Sequence, residues 1–278
     1  MKKKVWFVTG ASKGLGLTLV KELLEQGYSV AATSRTKARL ENEVGLSSDR
    51  FFAIQADLSD ETSIQAAVKK SYEHFGQLDV VVNNAGYGIG GSIEELSQEE
   101  IMESFNVNVF ATLHVIKAVM PYLREQRSGH IINISSIAGF AAATGWAIYA
   151  AAKFAVVGLS EVLAEDVKEF GIHVTVVEPG AFRTSFLSGE SLVLAKNPMA
   201  VYKDVRASHA RYASFDGAQA GDPAKAAKAF IQLAETDTPP VRLFLGTDAY
   251  QRAAQKLDLI KTDLENWKML TLSTDFNS

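Results

Sequence analysis

Tyr149 and Lys153 stand four residues apart in "YAAAK", a phenol and an amine separated by three alanines. On an α-helix, four residues advance about 400°, which leaves the two side chains about 40° apart on one face and about 6 Å apart along the axis. A phenol has a reference pKa near 10 and transfers protons poorly at neutral pH. A neighbouring ammonium favours the tyrosinate and draws that pKa downward. Reaching about 7 requires about 4 kcal/mol of differential stabilisation. The pair thus has the makings of a proton donor matched to neutral pH. The methyl groups between them let the helix lie close to whatever it serves. Taken alone, the spacing equally suits an ordinary helical pair.

A second group of residues suits phosphate. "TGASKGLG" (Thr9–Gly16) follows an apolar run and precedes a helical pattern. Gly10, Gly14 and Gly16 permit positive φ, close backbone approach and tight helix–strand packing. The helix that follows turns its free N–H groups and positive end to the same place. In dinucleotide sites an acid after the second strand binds the adenosine ribose and repels a 2′-phosphate. Here "TSRTK" puts Ser34 and Arg35 there, and Lys13 sits in the glycine turn. Two cations then converge on a 2′-phosphate, Arg35 with bidentate geometry, which favours NADP(H) over NAD(H).

These groups need a rigid frame, and the pattern of the chain supplies one. Short apolar strands are expected at Val5–Thr9, Ser29–Ser34, Phe51–Gln55, Asp79–Asn83, His130–Ser135, His173–Glu178 and Arg242–Leu245. Helical periodicity fills Leu15–Gln26, Ser63–Phe75, Gln98–Leu123 and Tyr149–Phe170. Strands such as "VVVN" and "VTVVE" lack polar alternation, as in a parallel sheet covered on both faces. The expected fold class is α/β, a single doubly wound (Rossmann) domain over residues 1–278. Its parallel sheet has about seven strands with helices on both faces, and ligands lie at the carboxyl ends of the strands. Residues 181–220 break the rhythm with scattered aromatics and read as a substrate loop. Asp222-Pro223 reads as an N-cap followed by proline at the first helical position. A polar C-terminal helical extension is expected at about 248–271.

Composition excludes several classes. The 278 residues carry a net charge of −4, which offers nucleic acid and anionic membranes no broad attraction. Cysteine is absent, so no disulfide or thiolate metal site can form. The five histidines are scattered and none pairs at ligand spacing, so no metal is expected. "MKKKVWFVTG" has the lysines of a signal peptide without a long enough apolar run. No stretch of about 18 apolar residues is evident, so a cytoplasmic location without a membrane span is expected. "IINISSIAG" lacks the glycine ahead of serine that a nucleophile elbow needs, which argues against a hydrolase.

In order and spacing, TGxxxGxG at Thr9–Gly16, "NNAG" at Asn83–Gly86, Ser136, YxxxK at Tyr149–Lys153 and "PG" at Pro179–Gly180 resemble the short-chain dehydrogenase/reductase family over roughly the first 190 residues. The resemblance implies an oxidoreductase that moves a hydride between NADP(H) and a carbonyl or secondary alcohol. It implies that Tyr149 gives the proton, Ser136 orients the substrate oxygen, Lys153 depresses the tyrosine pKa and grips the ribose, and Asn108 supports a water relay. Ser135 and Asn106 are the neighbouring competitors for two of those roles. It implies cofactor contacts from Gly10, Ser12, Lys13, Gly14, Leu15 and Gly16 in the turn, from Arg35, and from Asp57 and Leu58 beside the adenine. Asn83 is implied beneath the adenosine and as a brace of the sheet, with Ala85 and Gly86 beside it, Pro179, Gly180 and Phe182 at the nicotinamide face, and Thr184 at the carboxamide. "EPGAFRTSF" and the extended C-terminus are similar to the steroid- and retinol-dehydrogenase-like branch, pointing to apolar ketones or aldehydes. A homodimer or homotetramer through the apolar Val107–Leu123 and Ala150–Leu159 is expected. Two other readings use the same fold: a non-catalytic NADP-binding regulator, and an isomerase or epimerase that uses bound cofactor transiently.

Overall fold

The apolar runs pair side by side as expected. A computed structural model describes residues 3–276 apart from Glu190, so Met1 and Lys2 of the lysine-rich start lie outside it. The strands are β1 (Val5–Val8), β2 (Ser29–Ser34), β3 (Phe51–Gln55), β4 (Val80–Asn83), β6 (Gly129–Ile134), β7 (Ile172–Pro179) and β9 (Arg242–Leu245). They form one parallel sheet in the order β3-β2-β1-β4-β6-β7-β9. The order reverses between β1 and β4, and a crevice opens beyond the carboxyl ends of the strands at that point.

Both faces of the sheet are covered, which explains strands without polar alternation. On one face Trp6, Val8, Val30, Ala32, Val80 and Val82 pack with Leu19, Val20 and Leu23 of α1 (Gly14–Glu25) and with Phe230 of α8 (Pro223–Ala234). On the other, Val5, Phe7, Ala31, Val81 and Ile131 pack with Ile64 and Val68 of α3 (Glu61–Phe75) and Val115, Val119 and Leu123 of α5 (Ala111–Gln126). Asp222 caps α8 by accepting from Ala224 N–H at 2.8 Å, and Pro223 follows in the first turn.

Four expectations change. The helix expected over Gln98–Leu123 is broken into α4 (Gln98–Phe105), a π-helical turn at Asn106–Phe110, and α5. An eight-residue α2 (Lys37–Val44) lies between β2 and β3; it buries only Leu40 and Val44, too narrow a stripe to read as periodic. Residues 181–220 are not all loop. They contain β8 (Leu192–Leu194), paired parallel to a three-residue β5 (Gly88–Gly90), and a helix α7 (Lys203–Ser214). Finally, α6 (Ala147–Asp166) is long and apolar enough to cross a membrane by length and composition. In this fold its Ala150, Ala152, Val156 and Val157 are buried. Helices buried on more than one side lose their polar stripe. The C-terminal extension is α9 (Thr247–Asn266) followed by α10 (Lys268–Leu272).

Candidate active site

Tyr149 and Lys153 occupy the first two turns of α6, and the strand ends of β6 and β7 face them across the crevice. Both side chains are buried, at 9% and 4% exposure, yet both border a cleft of about 1830 Å³. Lys153 Nζ donates to Ile134 O at 3.1 Å and lies 5.8 Å from the Tyr149 ring centre. Among the described residues it forms no ion pair. Burial lowers its pKa to about 8. Burial also raises the Tyr149 phenol to about 12; a hydrogen bond with Ser136 opposes that rise, and Tyr212 adds to it. The expected drop toward neutrality is therefore not present in the protein alone. Desolvation of the phenol is the largest effect, and the phenol stays protonated at neutral pH. A protonated phenol is the form that donates to a carbonyl oxygen.

Ser136 and Ser135 are separated by the end of β6. Ser136 lines the cleft beside Tyr149, and its oxygen accepts from Ala138 N–H at 3.1 Å. Ser135 is buried and donates to Lys153 O at 2.9 Å, so its hydroxyl fastens α6 to the sheet.

Asn108 lies behind the cleft wall rather than on it, at 1% exposure. Its Nδ2 donates to Tyr87 O at 3.1 Å and Ser104 O at 3.0 Å, and its Oδ1 accepts from Tyr87 N–H at 3.2 Å. The amide thus takes a carbonyl of the preceding turn, and Ala111 N–H reaches back five residues to Asn106 O. That is the source of the π-turn, a device common at functional sites. Gly86 makes the junction possible: a Cβ there would sit 2.8 Å from Asn108 Oδ1 and 3.3 Å from Lys153 Nζ. Asn108, Gly86 and Lys153 are consequently in one contact group.

The glycine turn forms the far end of the same cleft. Gly10, at φ +64°, lies so close to Ala85 that a Cβ would come within 2.7 Å of its Cα. Lys13 occupies the N-cap of α1 without a side-chain hydrogen bond to the cap, which leaves the helix N-terminus to face the cleft. Ser12, Lys13, Gly14, Leu15, Arg35, Asp57, Leu58, Ala85, Gly86, Pro179, Gly180, Phe182 and Thr184 all border this space; Gly16, Asn83 and Asn108 do not. Asn83 is buried and donates to Asn133 Oδ1 at 2.8 Å, a brace between β4 and β6. Its neighbour Asn84 lines the cleft instead and donates to Thr9 O and Gly10 O at 2.9 and 3.0 Å. β4 ends at Asn83, and Asn84 N–H turns back to Val82 O at 3.1 Å, a turn that the motif alone conceals. Ser59 holds the Asp57 carboxyl below its ordinary pKa, with Arg35 adding to the effect.

These features fit a dinucleotide. The uncapped helix start suits a pyrophosphate. Thr33 Oγ1, buried at the edge of the cleft, has no hydrogen-bond partner. The Lys153 ammonium has donors to spare for hydroxyls. Among the described residues no group of three or more histidines and carboxylates could hold a metal.

Residues 183–220 form a flap over the other end. Its base closes where Arg183 N–H donates to Gly221 O at 2.8 Å and Gly221 N–H to Ala181 O at 3.0 Å. Its far side is held by carboxylates of the segment 94–100, which periodicity could not reveal. Buried Glu95 accepts from Ser92 N–H at 2.8 Å, from Met199 N–H at 2.6 Å and from Arg206 Nη2 at 2.6 Å. Glu100 accepts from Lys196 N–H at 3.2 Å, and Glu94 from the Tyr202 hydroxyl. Trp146 then stacks edge-on against His209 and Tyr212 of α7, with centroids 4.9 and 5.1 Å away. Phe186 lies 6.2 Å from the Tyr149 ring. Removing the Glu95 carboxylate leaves Ser92 N–H and Met199 N–H without their acceptor, and an unsatisfied buried group costs about 1–3 kcal/mol. Glu95→Ala is therefore expected to loosen the flap. It should raise KM for the substrate by about 10-fold or more while leaving the affinity for a bound dinucleotide unchanged. An unchanged KM would contradict that role for Glu95.

Comparison with known proteins agrees with the geometry. The family model for short chain dehydrogenases matches residues 4–191. The chain is 36% identical over 272 residues to oxidoreductase BOA17 of Botryotinia fuckeliana, covering 98% of this chain and 99% of that protein. It is 34% identical over 246 residues to the 3-ketodihydrosphingosine reductase of Bacteroides thetaiotaomicron, covering 88% and 89%. A short-chain dehydrogenase structure from Streptomyces avermitilis superposes with a TM-score of 0.90 at 35% identity, covering 98% of this chain and 100% of that one. Two more distant structures hold different cofactors. A 3-ketoacyl-(acyl-carrier-protein) reductase from Brucella melitensis is complexed with NADH (26% identity, TM-score 0.73, 87% and 96% covered). ElxO has NADP bound (25%, 0.71, 88% and 96%).

Proposed function

The chain belongs to the short-chain dehydrogenase family and is an oxidoreductase, and we propose that it works as an NADP(H)-dependent reductase of apolar ketones or aldehydes. The observation that carries this reading is the placement of a buried, protonated phenol and a buried ammonium at one end of a cleft whose other end is an uncapped helix N-terminus. When bound, the nicotinamide supplies and takes back the hydride. The chain does the rest. Tyr149 donates its proton to the carbonyl oxygen, and the Ser136 hydroxyl orients that oxygen as charge develops there. Lys153 grips the ribose and favours the tyrosinate left behind, so the proton leaves more easily than burial alone permits. Asn108 holds the Gly86–Tyr87 segment beside Lys153 through its bonds to Tyr87 and in that way supports a water relay to the lysine. Phe182, Phe186 and Trp146 border the substrate end and exclude water.

Substrate class follows from that border. The aromatic wall favours apolar carbonyls, and loss of one methylene from such a substrate costs about 1–3 kcal/mol of transition-state binding. The name of the Bacteroides relative, a ketone reductase, supports this direction. The test is NADPH oxidation against ketones and aldehydes graded in size and polarity. Aryl, alicyclic or long-chain ketones should turn over best; faster turnover of small charged keto acids would overturn the substrate class. Exposed Met102, Phe110, Phe154 and Val162 on the outer faces of α4, the π-turn and α6 support a homodimer through this surface.

A further inference from the structure

The start of α9 is built into the wall of the cleft. Asp248 stands at the second position of the helix, after Gly246 and Thr247. An acid in a first turn ordinarily serves its own helix by complementing the macrodipole. This one reaches to another segment: its Oδ2 accepts from Ala181 N–H at 2.8 Å. Ala181 follows Pro179 and Gly180 where β7 ends, and all three border the cleft together with Asp248. Two glycines make room for the carboxylate. A Cβ on Gly180 would overlap both of its oxygens, and one on Gly246, at φ +100°, would come within 2.9 Å of Oδ1.

The backbone that leaves β7 therefore hangs on two successive N–H groups. Gly180 N–H donates to Leu245 O at 2.8 Å, the last rung toward β9, and Ala181 N–H donates to the Asp248 side chain. One turn further along α9, Arg252 Nη2 donates to Ala141 O, and Ala249 and Ala253 pack with Ile137 and Phe140 of the segment that follows Ser136. The first two turns of α9 thus grip both lips of the cleft. We infer that Asp248 is a positioning residue for hydride transfer, which fixes the backbone at Gly180 and Ala181 against which the nicotinamide lies; this rests on the placement of that ring at residues 179–182 under the proposed function. Misplacing reacting groups by about 1 Å costs up to about 10²-fold in rate. What the backbone requires of Asp248 is an acceptor for one N–H, which an amide oxygen supplies as well as a carboxylate.

The test compares Asp248→Ala and Asp248→Asn in the full chain. At saturating cofactor and ketone, Asp248→Ala should lower kcat by about 10- to 100-fold. Its Kd for 2′,5′-ADP, which fills the adenosine end and carries no nicotinamide, should stay at the wild-type value and shows that the variant is folded. Asp248→Asn should keep kcat within about 2-fold of the wild type, because its amide oxygen takes the same N–H. A role confined to the macrodipole gives no such rescue, since the amide carries no charge. The fluorescence of bound NADPH or NADH reads the ring without turnover: its emission should change in Asp248→Ala and match the wild type in Asp248→Asn. A wild type that reduces no carbonyl would strike the proposed reaction, and the emission then decides the role of Asp248. Unchanged kcat in Asp248→Ala, equal losses in the two variants, or identical emission from all three proteins would overturn the inference.

Discussion

Tyr149→Phe should lower turnover by about 10²–10⁴-fold, the typical contribution of a general acid, while NADPH still binds. The ring stays, so the packing against Phe186 stays with it. Only the hydroxyl is lost, with its bond to Ser136. Since the phenol is held near 12 by burial, carbonyl reduction should not lose its acid on titration of Tyr149 through the neutral range. Lys153→Ala should also reduce turnover, and it should weaken cofactor binding as well, because the same ammonium serves phenol and ribose. Turnover, and NADPH affinity from the nicotinamide fluorescence, separate the two variants. Near-normal turnover in Tyr149→Phe would remove the mechanism.

Cofactor choice carries the other large effect. Arg35 and Lys13 border the adenosine end of the cleft, and Ser34 stands where an acid would select NADH. Charge-assisted hydrogen bonds contribute about 1.5–3 kcal/mol each, so two such cations favour NADPH by roughly 10²-fold or more. Ser34→Asp with Arg35→Ala should invert that preference, because the new carboxylate accepts ribose hydroxyls and repels a 2′-phosphate. In the wild type, NADPH affinity should fall with added salt while NADH affinity changes less. Asp57 competes for Arg35, which already helps to hold its carboxyl ionised. Equal kcat/KM with both cofactors, or indifference to Arg35→Ala, would leave these cations as surface charge.

The sheet was legible because a doubly covered parallel strand has a strong local signature. Val80–Val82 and Val174–Val177 have few polar options, and their periodicity needs no knowledge of distant partners. The glycine turn and YxxxK were legible because their chemistry is local in sequence. What escaped depends on contacts across the chain. α2 buries two residues of eight. The π-turn exists because the Asn108 side chain takes Ser104 O, a bond that no hydrophobic pattern records. The flap rests on Glu95, whose carboxylate closes a capping box at Ser92 and also meets Met199 and Arg206 more than 100 positions later. In the NNAG motif Asn83 braces β4 to β6, as the resemblance implies, and the turn that follows the strand sets Asn84 at the cleft. The phenol was expected near neutrality from its neighbour's charge, whereas the burial of both groups dominates.

The central claim is that this chain reduces a carbonyl with NADPH. The direct measurement is the fate of deuterium from NADPH that carries deuterium at both nicotinamide C4 positions, followed by mass spectrometry of the alcohol formed from an aryl or alicyclic ketone. The account predicts one deuterium on the carbinol carbon for each NADPH consumed, with both signals lost in Tyr149→Phe. A cofactor that binds but keeps its label with every carbonyl offered, as a regulator's would, contradicts it, as does a product whose carbinol carbon carries only protium.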